Sequence, residues 1–95
     1  NDFIFIRQTP KIKKTFKIGQ YLTSGYIAYQ TKEFIFKKIF KPPEPYPQVL
    51  YPDFQSNIEI YCCDKFLELE LLTPLLEIKK GNFIQHTELW ELNEK

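Results

Sequence analysis

Apolar and polar residues alternate in short runs along most of this chain, and the runs are separated by Pro, Gly and small polar clusters. A period of two marks a strand with one face buried, and Ile, Phe, Tyr and Leu at the alternating positions suit a pleated sheet. Eight strands are predicted on this basis: Asp2–Gln8, Lys11–Gly19, Tyr26–Gln30, Glu33–Phe40, Asn57–Cys62, Phe66–Leu72, Leu75–Lys79 and His86–Leu92. Thr31-Lys32 joins the third and fourth as a hairpin, and Lys80-Gly81-Asn82 makes a turn. The segment Lys41–Asp53 holds five of the seven prolines, a density that no regular strand or helix survives, and reads as an ordered crossover or rim loop. The expected fold is all-β, an antiparallel β-sandwich in a single domain over residues 1–95, with Ile58, Ile60, Leu67, Leu69, Ile78 and Trp90 in its core.

The pattern also fixes a pairing. Ile58, Ile60 and Cys62 share one face of their strand, and Leu67, Leu69 and Leu71 share one face of the next. The two apolar faces coincide only when paired residue numbers sum to an odd value, and a tight connection around Asp64-Lys65 sets Ile60 opposite Leu69. Tyr61 then faces Glu68, and Glu59 faces Glu70, so the other side of the hairpin carries three carboxylates and a phenol. Carboxylates directly opposite each other repel, and something must compensate. One resolution is a polar ligand pocket in which a carboxyl has a raised pKa and moves a proton. The other is a solvated face threaded with lysines such as Lys65 or Lys79. Glu68 and Glu70 project from one side of a strand, which does not suit a glycosidase, whose carboxylates flank the bond they break.

Composition narrows the picture. At 95 residues, with 43% hydrophobic and 26% charged side chains, the chain has the makings of one globular core and no more. No apolar run reaches the length of a membrane helix and no signal-peptide layout opens the chain, so no membrane association and a cytoplasmic location are expected. Met is absent, so Asn1 is expected to follow a trimmed Met or to lie within a longer chain. The net charge of +1 conceals a division: residues 1–41 carry nine basic and two acidic side chains, and residues 42–95 carry four basic and ten acidic ones. The halves should attract each other or meet different partners.

The remaining chemistry-bearing residues take ordinary readings. Cys62 and Cys63 point to opposite faces of a strand, cannot serve one metal together, and are expected to be reduced and half-buried. His86 is the single histidine and is read as a hydrogen-bonding residue at a strand start. Lys11, Lys13, Lys14 and Lys17 around Phe16 read as an edge strand guarded against aggregation, and nucleic acid is not the expected partner. There is no Gly-rich phosphate loop, no nucleophile motif and no metal-spaced Cys/His set, so neither cofactor nor metal is expected.

The segments Tyr51-Pro-Asp, Asn57-Ile-Glu-Ile-Tyr, Phe66-Leu-Glu-Leu-Glu, Thr73-Pro-Leu, Lys80-Gly and His86-Thr-Glu-Leu-Trp, in that order, resemble the C-terminal part of galactose mutarotase-like proteins, members of the aldose 1-epimerase superfamily. The match is closest to an uncharacterised branch. Lys17-Ile-Gly, Gly25-Tyr-Ile-Ala-Tyr and Phe36-Lys-Lys-Ile-Phe resemble strands that precede that part. The resemblance spans most of residues 14–92 and would make the chain the C-terminal third of a longer β-supersandwich. It implies a sheet groove that binds a sugar or sugar derivative. It also sets Glu68 at the place of the general-base Glu of aldose anomer interconversion, with Glu59, Tyr61 and Glu70 as substrate-binding neighbours. The partner acid of those enzymes belongs to a part of the fold that this chain lacks, and His86 matches a position without a catalytic role.

The function expected from the sequence is therefore carbohydrate binding, with epimerase chemistry if the rest of the fold is supplied. The alternative is a non-catalytic structural or protein-interaction β module. Half a supersandwich would leave an open sheet face, so an oligomer or association with missing chain is also expected.

Overall fold

The computed structural model describes residues 3–95. Its regular elements are β1 (Phe16–Gln20), β2 (Tyr26–Gln30), β3 (Phe34–Ile39), the single turn α1 (Pro52–Gln55), β4 (Ile58–Cys62), β5 (Leu67–Leu71) and β6 (Leu89–Glu94). The strands form two antiparallel three-stranded sheets, ordered β1-β4-β5 and β2-β3-β6. The fold is all-β and sandwich-like.

The hairpin register is the expected one: Glu59 opposite Glu70, Ile60 opposite Leu69, Tyr61 opposite Glu68. With β1 added, three rows line the apolar side of the first sheet: Phe16–Cys62–Leu67, Ile18–Ile60–Leu69 and Gln20–Ile58–Leu71. The other side carries the rows Lys17–Tyr61–Glu68 and Gly19–Glu59–Glu70. Asn57 extends the ladder past the strand ends. Its amide accepts from Leu22 N–H at 2.6 Å and donates to Leu22 C=O at 2.8 Å, while its backbone bonds Gln20 and Leu72. A buried asparagine so fully paired imitates one more residue of strand.

Among the described residues six strands form where eight are expected. Asp2 lies outside the described residues, and Ile4–Gln8 form no strand; Gln8 instead donates through its side chain to Cys63 C=O at 2.9 Å. The second expected strand begins only at Phe16. Leu75–Lys79 also stay irregular, held at one end by Leu75 N–H on Leu50 C=O. Both segments run along neither sheet: alternation makes a segment suitable for a sheet, and only bonding alongside a strand makes it one. The turn at Lys80-Gly81 is present, with Gly81 at φ +87° and Asn82 N–H on Lys79 C=O.

The proline-rich segment crosses from the second sheet to the first. Glu44 C=O accepts from the Tyr21 hydroxyl at 2.6 Å, and Val49 C=O accepts from the Gln55 amide at 3.1 Å, so the crossover is pinned along its length. It ends in α1, where Asp53, Phe54 and Gln55 all have positive φ; this is a left-handed turn. Ser56 closes it, its hydroxyl donating to Asp53 C=O at 2.7 Å.

The core is small. Ile27, Ile58, Cys62 and Cys63 are its buried hydrophobic residues, and Ser56, Asn57 and Glu59 are buried with them. Ile60, Leu67 and Leu69 are half-buried. Two expected core residues are not there: Ile78 is 54% exposed because its segment joins no sheet, and Trp90 is 63% exposed because β6 is an edge strand. The cysteines are free thiols and buried outright, not half-buried as the sequence suggests.

Candidate functional site

The four residues singled out from the sequence stand together on one face of the first sheet, in two adjacent rows. Their environments differ sharply. Glu68 is exposed, Tyr61 and Glu70 are half-buried, and Glu59 is 2% exposed. Tyr61 packs on Phe66, with ring centroids 5.8 Å apart, and so presents an aromatic surface beside the Glu68 carboxylate. That combination, an apolar ring face next to a charged acceptor, suits a polyol ring.

The repulsion between Glu59 and Glu70 is answered by Lys17, and neither Lys65 nor Lys79 pairs with either carboxylate among the described residues. Lys17 Nζ forms an ion pair with Glu59 Oε2 and reaches Asp53 at 3.5 Å. Glu59 Oε2 is fully enclosed and lacks a hydrogen bond of good geometry, so Lys17 is its compensation. Of the carboxylates on this face, Glu59 is buried against Lys17 and Glu68 is accessible.

A second polar cluster was not foreseen. Glu88, just ahead of β6, accepts from Trp90 Nε1 at 2.6 Å, pairs with His86 Nε2 at 3.1 Å, and forms an ion pair with Lys38 at 3.2 Å. Lys38 also donates to Leu69 C=O at 2.7 Å and lies 5.3 Å from the Trp90 ring centroid, so it ties the second sheet to the first. Partial burial pushes the Glu88 carboxyl up, but the bonds from Trp90, His86 and Lys38 and the charge of Lys38 outweigh it and hold the group below its ordinary value. Alternation puts His86, Glu88 and Trp90 on one face, but no local signal links them to Lys38 and Leu69. Beside it opens a cleft of about 400 Å³ between the sheets, lined by Tyr29, Phe36, Phe66, Leu69 and Trp90.

His86 pairs with Glu88 and lines a separate, smaller cleft with Asn57 and Leu71, at the end of the hairpin opposite the Tyr61–Glu68 row. Among the described residues no group of three or more His, Cys, Asp or Glu could hold a metal ion, and no helix is long and apolar enough to cross a membrane. No protein-family model matches the chain, and no curated protein or solved structure matches it either.

Proposed function

We propose that the chain binds a sugar or sugar derivative on the carboxylate face of its first sheet. The observation that carries this reading is the row Lys17–Tyr61–Glu68: a cation, a phenol backed by a second ring, and an exposed carboxylate, on three neighbouring strands. Strands lie about 4.8 Å apart, so the row spans about 10 Å and offers a donor, an aromatic surface and an acceptor to one pyranose ring. The likeness of Phe66–Glu70 to the mutarotase-like strand supports the same assignment of Glu68.

In this reading Glu68 accepts a hydrogen bond from a sugar hydroxyl, Tyr61 supports the ring, and Glu70 flanks it, while Glu59 holds Lys17 in place. Anomer exchange needs an acid as well as a base, placed on opposite sides of the ring. Glu68 supplies the base alone, so the 95-residue chain binds without turning over. Epimerase chemistry follows only if a further segment or partner brings the acid.

Titration of the isotope-labelled chain with a panel of monosaccharides tests the proposal. Chemical-shift changes centred on Lys17, Tyr61 and Glu68, weakened in Glu68→Gln, are expected. Absence of any change at tens of millimolar sugar, or salt-sensitive binding of polyanions through Lys11–Lys17 instead, overturns it.

A further inference from the structure

The outer edge of β6 is open. β6 is the longest edge strand, six residues against five in β1, β2 and β5, and every residue of it is exposed. Leu89–Glu94 contains no Pro and no Lys, the residues most often used to block an edge; its charges are Glu91 and Glu94. Among the described residues no strand lies on its far side.

The direction of its free backbone groups follows from one bond. Lys95 N–H donates to Glu33 C=O at 2.8 Å, continuing the register that sets Glu94 opposite Phe34 and Asn93 opposite Ile35. Bonding alternates along an antiparallel ladder, so Leu89, Glu91 and Asn93 aim their backbone groups at β3, and Trp90, Leu92 and Glu94 aim theirs outward. A second strand must therefore bond through these three.

We infer that β6 pairs antiparallel with β6 of a second copy, with Leu92 on the two-fold axis. In this register Leu92 faces Leu92, and Trp90 faces Glu94 on both sides, and the three bonded pairs close six backbone hydrogen bonds. Shifting toward Trp90 sets Glu91 against Glu91 and loses a bonded pair; shifting toward Glu94 also loses one. The centred register instead places Glu91 across from Asn93, a pair of acceptor and amide that already bond within one strand at 2.9 Å. It also joins the exposed Trp90–Leu92 stripes of the two copies into one apolar strip, which neither copy covers alone. The second sheet becomes six-stranded across the axis. This pairing is independent of whether the first sheet binds sugar.

Sedimentation equilibrium on the 95-residue chain should show a concentration-dependent dimer. Leu92→Pro removes an outward N–H and no bond to β3, and Leu92→Lys places like charges on the axis; each should weaken association at least tenfold, with circular dichroism unchanged. Should Leu92→Pro fail to fold, cysteine cross-linking decides the register. Bonded antiparallel partners have Cα atoms about 5.5 Å apart, within disulfide reach, so Leu92→Cys should oxidise to a covalent dimer faster than Glu91→Cys. A chain that stays monomeric at millimolar concentration, a dimer indifferent to Leu92→Lys, or faster cross-linking through Glu91→Cys overturns the inference.

Discussion

Lys17 reaches the buried carboxylate of Glu59 across the β1–β4 ladder, from the position beside Gly19, which is Glu59's direct partner. The pair is unequal: the lysine is half in solvent and the glutamate almost wholly enclosed. Removing the exposed member therefore leaves a charge with no access to water.

Lys17→Ala should cost about 2 kcal/mol in urea unfolding, less than the loss expected for a fully buried pair because Lys17 is screened. Adding Glu59→Gln to it should recover most of the loss, since the amide carries no charge to strand. Equal stability of Lys17→Ala and the wild type would show that the pair is not what offsets the burial of Glu59.

Gly19 is held to its identity by space. A β-carbon there would collide with the Ser56 hydroxyl and press on Ser56 Cβ at 3.2 Å. Ser56 cannot readily swing away, because it is buried and donates to Asp53 C=O. Gly19→Ala is expected to destabilise by roughly 1–3 kcal/mol, and combining it with Ser56→Gly should cost less than the two changes added separately. Simple additivity in that cycle would place the strain elsewhere.

Acid should loosen the contact between the sheets. The Glu88 carboxyl lies below its ordinary value of 4.5 in the folded chain, so its contribution to stability is complete above about pH 4.5 and is lost as the pH falls through the lower folded-state value. Urea midpoints measured from pH 7 down to pH 3 should fall less steeply for Glu88→Gln than for the wild type. Parallel curves would remove Glu88 from the acid response.

The thiols should be silent until the chain opens. Burial, with a smaller contribution from neighbouring Cys63, pushes Cys62 above its ordinary value, and both side chains are enclosed. At pH 8 a disulfide reagent should label the native protein roughly tenfold or more slowly than the urea-unfolded chain, which should yield two thiols. Prompt labelling of the native form would mean that the Cys62–Leu67 end of the hairpin opens readily.

What the sequence discloses here is local. The β4–β5 register is legible because Ile60 and Leu69 obey one parity and the connection is short. The β2–β3 hairpin is legible as a pairing but not in register: a two-residue loop at Thr31-Lys32 would set Gln30 opposite Glu33, and Gln30 lies opposite Ile35. Glu68 and Tyr61 are found by the β4–β5 parity, and their exposure is not, because burial depends on which strand lies alongside. Lys17 supplies the cation because β1 is the neighbour of β4, far away in sequence. The Lys38–Glu88 tie and the pairing of Asn57 with Leu22 are invisible for the same reason: each joins side chains to distant positions that no period connects. Ile4–Gln8 and Leu75–Lys79 show the converse, strand-like sequences that join neither sheet.

The order in which the chain visits its two sheets has a mechanical consequence. β1 belongs to one sheet, β2 and β3 to the other, β4 and β5 to the first again, and β6 to the second. A cut in the proline-rich crossover would leave two fragments, and each would own strands of both sheets and complete neither. The N-terminal fragment would be basic and the C-terminal one acidic. Such halves interlock like clasped hands, attracted by charge and finished only by each other. During synthesis, likewise, the second sheet has to wait for β6, which is made after every strand of the first.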